Sequence, residues 1–145
     1  MESIAIDTGE KRVCINGDES RVIVFNPGDV LFAEKFYVLA GEFQTKLTEF
    51  QRKALEFDSA AEVGADGFPA NTTARLELMK GVCGYLRGRI DYLFGIGTSE
   101  TAFGEAQTLN VFVQFFEGIT PLIQGARNEK VLKYKNTAVR RKRKA

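Results

Sequence analysis

The sequence contains no histidine, only two cysteines and no long run of uncharged residues. Without histidine, the chain lacks the usual general base, the Ser-His and Cys-His nucleophile pairs and the commonest metal ligand. Its carboxylates do not compensate, because Glu77 and Asp91 are about four turns apart on one predicted helix and no metal-ligand spacing occurs. We therefore expect a protein that is not an enzyme and that holds no metal and no cofactor.

The two cysteines, Cys14 and Cys83, are too few for a structural zinc site. Both fall among apolar residues far apart in the sequence, which predicts reduced thiols in the core and no disulfide. The longest uncharged stretch, residues 106–116, is too short to span a bilayer. Residues 1–3 (MES) contain no basic residue and no long apolar run follows them, so no signal peptide is predicted. These features predict a cytoplasmic protein that is not secreted and has no membrane partner.

The charges of the chain are divided between its two parts. The net charge is only +1, yet residues 127–145 carry +8 and residues 1–126 carry −7. Five consecutive cations stand near the end: Arg140, Arg141, Lys142, Arg143 and Lys144. Such a run binds nucleic acid, an acidic lipid surface or an acidic protein face, or it stays solvated. Nucleic acid is the less favoured partner, because no basic stripe with stacking aromatics extends the run into the body.

Short β-branched segments at residues 3–7, 12–16 and 21–25 are joined by turn-forming residues. They predict a three-stranded antiparallel β-meander over residues 3–25. The segment Asn26-Pro27-Gly28-Asp29 then predicts a helix start, with a cap residue, a proline at the first helical position and a favourable negative charge.

Apolar residues recur every three or four positions in the rest of the chain, as in helices with one buried face. The first stripe is Phe32, Phe36, Leu39, Phe43, Leu47, Phe50, Ala54 and Phe57. The second, after a cap at Asn71, is Leu76, Met79, Cys83, Leu86, Ile90 and Leu93. A third helix ends near Gly118, and Thr120-Pro121 predicts the start of a fourth.

The predicted fold is therefore mainly α (α+β). A small N-terminal antiparallel β-meander (residues 3–25) precedes a bundle of about four α-helices (residues 27–134). Of the 145 residues, residues 1–134 are predicted to form one globular domain. Residues 135–145 are predicted to form a basic, flexible C-terminal tail.

Residues 91–105, DYLFGIGTSETAFGE, place glycines around a Thr-Ser pair, as a phosphate-binding loop does. Such a loop follows a strand and in its commonest form contains Gly-Lys-Ser/Thr. Here a predicted helix precedes the glycines, and no lysine occurs between Lys80 and Lys130. We interpret the stretch as a joint between two helices.

Each residue type of the stretch fits that interpretation. Gly95 takes a left-handed conformation that ends the second helix, and Gly97 permits the reversal. Thr98 or Ser99 caps a short turn, and Phe103 pins that turn to the core.

Twelve phenylalanines are many for a small bundle, and some of them do not share one stripe. They are either all core residues or partly a surface for a partner or a second copy. The candidates for a partner surface are Phe36, Phe43, Phe50, Phe115 and Phe116. The opposed charges of body and tail also favour a homo-oligomer, with the acidic body of one copy receiving the basic tail of the next.

Three segments together resemble a known family: FNPGDVLFAEKFY (25–37), YLRGRIDYLFGIGTSETAFG (85–104) and FVQFFEGITPLI (112–123). The family is that of the small tail assembly chaperones of long-tailed phages and prophages of Gram-positive bacteria. Its most recognisable feature is Asp-x-x-Phe-Gly-x-Gly-Thr-Ser followed by Phe-Gly. The matching positions here are Asp91, Phe94, Gly95, Gly97, Thr98, Ser99, Phe103 and Gly104.

The resemblance implies a non-enzymatic role in the host cytoplasm during virion assembly. Proteins of that family coat the long, helical tape-measure protein, keep it soluble and bring tail-tube subunits to it. The tape-measure and tail-tube proteins are therefore the implied partners, and the signature implies a structural joint without catalytic residues. Two other roles remain open from the residues: a virion tail structural or completion protein, and a small nucleic-acid-binding regulator that uses the basic tail.

Overall fold

The structure, a computed structural model, describes the backbone of residues 1–60, 63–65, 67–68 and 70–144. It describes their side chains except those of residues 58–60 and 127–144. Two strands, β1 (Lys11–Ile15) and β2 (Asp18–Phe25), precede the helices α1 (Val30–Ala60), α2 (Thr72–Phe94), α3 (Thr98–Phe103) and α4 (Leu109–Lys144). The predicted mainly α (α+β) class, with a small N-terminal antiparallel sheet and a helical bundle, is confirmed.

The N-terminal sheet is an antiparallel hairpin of β1 and β2. Asn16 and Gly17 form its two-residue turn with φ values of 53° and 72°, the positive values that a tight hairpin of matching twist requires. Val13 lies opposite Ile23, and both side chains face the helices. The alternation of strand residues thus turns one face of the hairpin toward the core.

The predicted third strand at residues 3–7 is wrong, since residues 1–10 form no strand. The amide of Asn26 donates a hydrogen bond to the Thr8 carbonyl, and the Asp7 carboxylate accepts one from the Gly9 N–H at 2.9 Å. The first contact holds Thr8 next to Asn26, just before α1, and the second is a local turn within residues 7–9. Asp29 caps α1 in place of Asn26, because its carboxylate accepts the Phe32 N–H at 3.0 Å.

The core lies between the sheet and one face each of α1, α2 and α4. The buried residues of the two predicted stripes include Phe36, Leu39 and Phe43 of α1 and Cys83, Leu86 and Ile90 of α2. The second stripe begins later than predicted, because Leu76 is 64% exposed and the buried face of α2 starts at Val82.

Only one of the two cysteines is a core thiol. Cys83 is fully buried, and burial raises the pKa of its thiol above the ordinary value. Cys14 is exposed and unpaired, because it lies opposite Val22 on the face of the hairpin that turns away from the helices.

A polar cluster joins α1 to α2 on the solvent side. The Arg89 guanidinium donates two hydrogen bonds to the Glu42 carboxylate, at 3.0 and 3.2 Å, and the Tyr85 hydroxyl donates a third at 3.1 Å. Desolvation and the Glu42 carboxylate raise the pKa of Tyr85 above its ordinary value. The bidentate pair adds a directional contact between the two helices outside the core.

The structure has four helices, as predicted, but two of them are not the predicted ones. The third and fourth predicted helices are one helix, α4, with Pro121 inside it, and the joint at residues 98–103 is a helix of its own. Ile119 and Ile123 are buried on either side of Pro121, so packing holds α4 together although the proline removes one backbone donor.

The backbone of residues 135–144, predicted as part of a flexible tail, continues α4. The side chains of Arg140, Arg141, Lys142, Arg143 and Lys144 lie outside the described residues, as does Ala145. Within the described part of the chain, no helix is both long and apolar enough to cross a membrane.

The buried stripe of α2 predicts that replacing two leucines of that helix has very different effects on the free energy of unfolding. Leu86→Ala should lower the free energy of unfolding by about 2–5 kcal/mol, because it leaves a cavity in the core. Leu76→Ala, the matched control on an exposed position, should change it by less than about 0.5 kcal/mol. Urea denaturation measures both, and equal losses would contradict the placement of the stripe.

Candidate functional site

The joint between α2 and α4 contains the short helix α3. The predicted cap by Thr98 or Ser99 is wrong, because Gly97 precedes the helix without a side-chain cap bond and the carboxylate that accepts from the first turn comes from α2. The carboxylate of Asp91, on α2, accepts hydrogen bonds from the Ser99 N–H at 2.7 Å and the Ser99 hydroxyl at 3.1 Å. Ser99 is the buried residue of α3. The N-terminus of α3 thus already carries a negative group of the chain itself, at the place where a phosphate would bind.

Three glycines make the reversal of the chain possible, but the conformations of two of them differ from the prediction. Gly97, with φ 92° and ψ −7°, takes the left-handed conformation that was predicted for Gly95. Gly95 has φ 119° and ψ 148°, a conformation that is open to glycine alone. Gly104 ends α3 at φ 57°, where its N–H donates to the Glu100 carbonyl at 2.8 Å.

Two arginines hold the other end of α3, and sequence reasoning missed both. Arg21 of β2 donates to the carbonyls of Thr101 and Ala102, at 2.9 Å each. Arg87 of α2 donates to the carbonyls of Gly104 and Ala106, at 2.8 and 2.6 Å. Cations at the C-terminus of a helix satisfy carbonyls that lack a helical partner. Arg21 had no local signal, because it is 80 residues away from its first acceptor.

Aromatic rings connect the joint to α1 and α4. Phe94 packs edge-on against Phe36 at 6.3 Å and against Phe115 at 5.2 Å between ring centroids. Phe103 packs edge-on against Phe112 and Phe115 at 5.0 and 5.6 Å. The predicted role of Phe103 as an anchor to the core is confirmed by these contacts. The joint therefore sets the position of the first turns of α4 against α1.

A groove of about 660 Å³ lies between α1 and α4. Its lining is mostly apolar, and Glu117 is the one charged residue among the residues that line it: Ala40, Gly41, Phe43, Gln44, Leu47, Val113, Phe116, Glu117, Thr120 and Pro121. The rings of Phe43 and Phe116, 5.0 Å apart, form its floor. Gly41 leaves it open, since nothing lies within 4 Å of where a Cβ would stand.

The five phenylalanines predicted as partner-binding candidates separate into two groups. Phe36, Phe43, Phe115 and Phe116 are at most 7% exposed, so they belong to the core and only Phe43 and Phe116 border the groove. Phe50 is half-buried and lines a smaller cleft of about 300 Å³ between α1 and α2.

The described residues bring no reactive constellation together. No group of three or more Cys, Asp or Glu side chains among them is arranged to hold a metal ion. The signature carboxylate of Asp91 and the signature hydroxyl of Ser99 are bonded to each other at a buried helix end. Their arrangement provides a cap and places no free nucleophile beside a base.

The chain belongs to DUF6673, a family of unknown function whose model matches residues 18–145. The match spans β2 and all four helices, and it leaves residues 1–17 outside. No curated protein and no solved structure matches the chain.

The left-handed conformation of Gly97 gives a test of the joint. Gly97→Ala should lower the free energy of unfolding by about 1 kcal/mol or more, because a Cβ is strained at φ 92°. Gly118→Ala, the matched control inside α4 and exposed, should raise it by about 0.5–1 kcal/mol through helix propensity. Thermal or urea unfolding measures both, and a stabilised Gly97→Ala would contradict this joint geometry.

Proposed function

We propose that this chain is a phage tail assembly chaperone that binds helical segments of the tape-measure protein in the groove between α1 and α4. In this role it keeps the tape-measure protein soluble in the host cytoplasm and helps to recruit tail-tube subunits. The observation that carries the proposal is the preformed, mostly apolar groove between α1 and α4, which is open to solvent.

The dimensions of the groove suit a helix of about two turns. Its wall on α1 runs from Ala40 to Leu47 and its wall on α4 from Val113 to Pro121, which is about 10–12 Å at 1.5 Å per residue. A partner helix that presents apolar side chains at positions i, i+3, i+4 and i+7 fills such a space. A tape-measure protein, being long and helical, offers many such faces.

The floor of the groove is formed by core side chains that are packed without any partner. Phe43 and Phe116 are 4% and 7% exposed and are in contact with further rings, since Phe116 also packs against Phe36 at 5.8 Å. A preformed apolar floor reduces the entropy that a partner must lose to order the site. This favours repeated binding of different apolar helices, as a chaperone requires.

The signature residues support the proposed role indirectly. Asp91 of the signature holds α3 together with Arg21 and Arg87, which lie outside the signature, and α3 places Phe103 against α4. That placement brings the α4 wall, with Phe116, to the groove. The signature residues therefore contribute by positioning the α4 wall of the groove. This agrees with a protein that binds a partner and does not catalyse a reaction.

A charge placed in the groove tests the binding site. Gly41→Glu should lower the affinity for tape-measure helices by about tenfold or more, because docking would bury an unpaired carboxylate. Gly88→Glu, which adds the same charge at an exposed position of α2 outside the groove, should bind as the unmodified chain does. Calorimetry with tape-measure peptides measures affinity, and co-expression measures how much tape-measure protein stays soluble.

Two results would contradict the proposal. Equal binding by the Gly41→Glu and Gly88→Glu variants would exclude the groove as the site. Recovery of this chain from purified phage particles by mass spectrometry would favour a virion tail component, since a chaperone is absent from the finished particle.

A further inference from the structure

The N-terminal segment Glu2–Asp7 (ESIAID) is exposed and forms no strand within its own chain. Ile4 and Ile6 are 84% and 77% exposed, and the structure gives residues 1–6 no hydrogen bond within its described part. The alternation of two isoleucines with Ser3, Ala5 and Asp7 is the pattern of a half-buried strand. The segment thus has the sequence of a strand but no strand neighbour.

The sheet offers one open edge of the same length. Among the described residues, β1 has a strand neighbour on one side only, so the backbone groups along its outer edge are available for pairing. Val13 and Ile15 are half-buried on the face toward the core, whereas Arg12 and Cys14 are exposed on the other face. A two-stranded sheet gains stability from a third strand that extends its apolar face.

The residues that follow the segment are held beside the end of β2 and the start of α1. The Thr8 carbonyl accepts a hydrogen bond from the Asn26 amide. Asn26 follows Phe25, the last residue of β2, which pairs with Lys11 of β1. Residues 7–11 also line a cleft together with residues 26–30 at the start of α1. A return onto the same β1 would require these contacts to break, whereas a second copy can bring its own segment to the edge without that cost.

We propose that residues 3–7 of one copy pair with the outer edge of β1 of a second copy as an antiparallel third strand. Placing Ile6 opposite Val13 sets the whole register, because strand residues alternate between the two faces. Ile4 then extends the apolar face at Ile15, and the small Ala5 side chain lies opposite Cys14.

Charge complementarity supports this direction of pairing. In the antiparallel register, Asp7 lies opposite Arg12 on the solvent face, and opposite charges across a pair stabilise it. A small sheet with one solvated face is also the usual setting of antiparallel strands. The pairing does not depend on the proposed function, since it uses neither the groove nor the joint.

A disulfide between copies tests the register directly in the full chain. Cys14 is exposed and free, whereas Cys83 is fully buried. Cys14 is therefore the accessible thiol with which the thiol introduced by Ala5→Cys can form a disulfide. Directly opposite residues of an antiparallel pair are close enough for such a bond. On a denaturing gel without reductant, mild oxidation of the Ala5→Cys variant should shift most of the chain to the mass of a covalent dimer or larger, and reductant should reverse the shift.

The controls separate this pairing from other thiol contacts. The unmodified chain and the double variant Ala5→Cys, Cys14→Ser should give no covalent dimer on the same denaturing gel, because each lacks one thiol of the pair. Ile6→Cys should crosslink much less than Ala5→Cys, because its thiol faces the opposite side of the sheet. A monomer in which the thiol introduced at position 5 is bonded to Cys14 of the same chain, or no crosslinking at all, would overturn the proposal.

A charge exchange tests the direction of the strand. Asp7→Arg and Arg12→Asp should each reduce crosslinking of the Ala5→Cys variant by roughly two- to fivefold, and the two together should restore it. Circular dichroism checks that the helices are unchanged. Failure of the combined exchange to restore crosslinking would overturn the antiparallel register.

Discussion

The reversal of the chain between α2 and α4 is the constraint on which the rest of the structure depends. One carboxylate, that of Asp91, fixes the start of α3 through Ser99, and the guanidinium groups of Arg21 and Arg87 fix its end. A six-residue helix is too short to persist alone. Its ends are held by charged groups from β2 and α2, so the joint also ties the sheet to the bundle.

The groove is a consequence of that reversal. Because Phe103 packs against Phe112 and Phe115, the first turns of α4 lie against the core at a fixed position. Phe116 then meets Phe43 of α1, and the space above these two rings is the groove. Gly41 keeps this space open at the surface. The structural signature and the proposed binding site are thus two parts of one arrangement.

The sequence predicted the helical stripes well where burial continues on one face, as at Phe36, Leu39, Leu86 and Ile90. It failed where long-range contacts override a local signal. Residues 3–7 have a strand pattern, but Asn26 directs the adjoining backbone elsewhere. Thr120-Pro121 has the pattern of a helix start, but buried Ile119 and Ile123 carry α4 across it. Local patterns report which conformation a segment favours, and packing decides between neighbouring favoured conformations.

The sequence alone determined the mainly helical class, the two long apolar stripes, the joint at residues 91–104 and the division of charge between body and tail. These features depend on spacing and composition, which are local properties of the chain. Only the tertiary structure decided which phenylalanines are core residues, which groups cap α3 and where an apolar groove opens. These features depend on residues such as Arg21 and Thr101 that are distant in sequence, and contact between them arises only when the elements pack together.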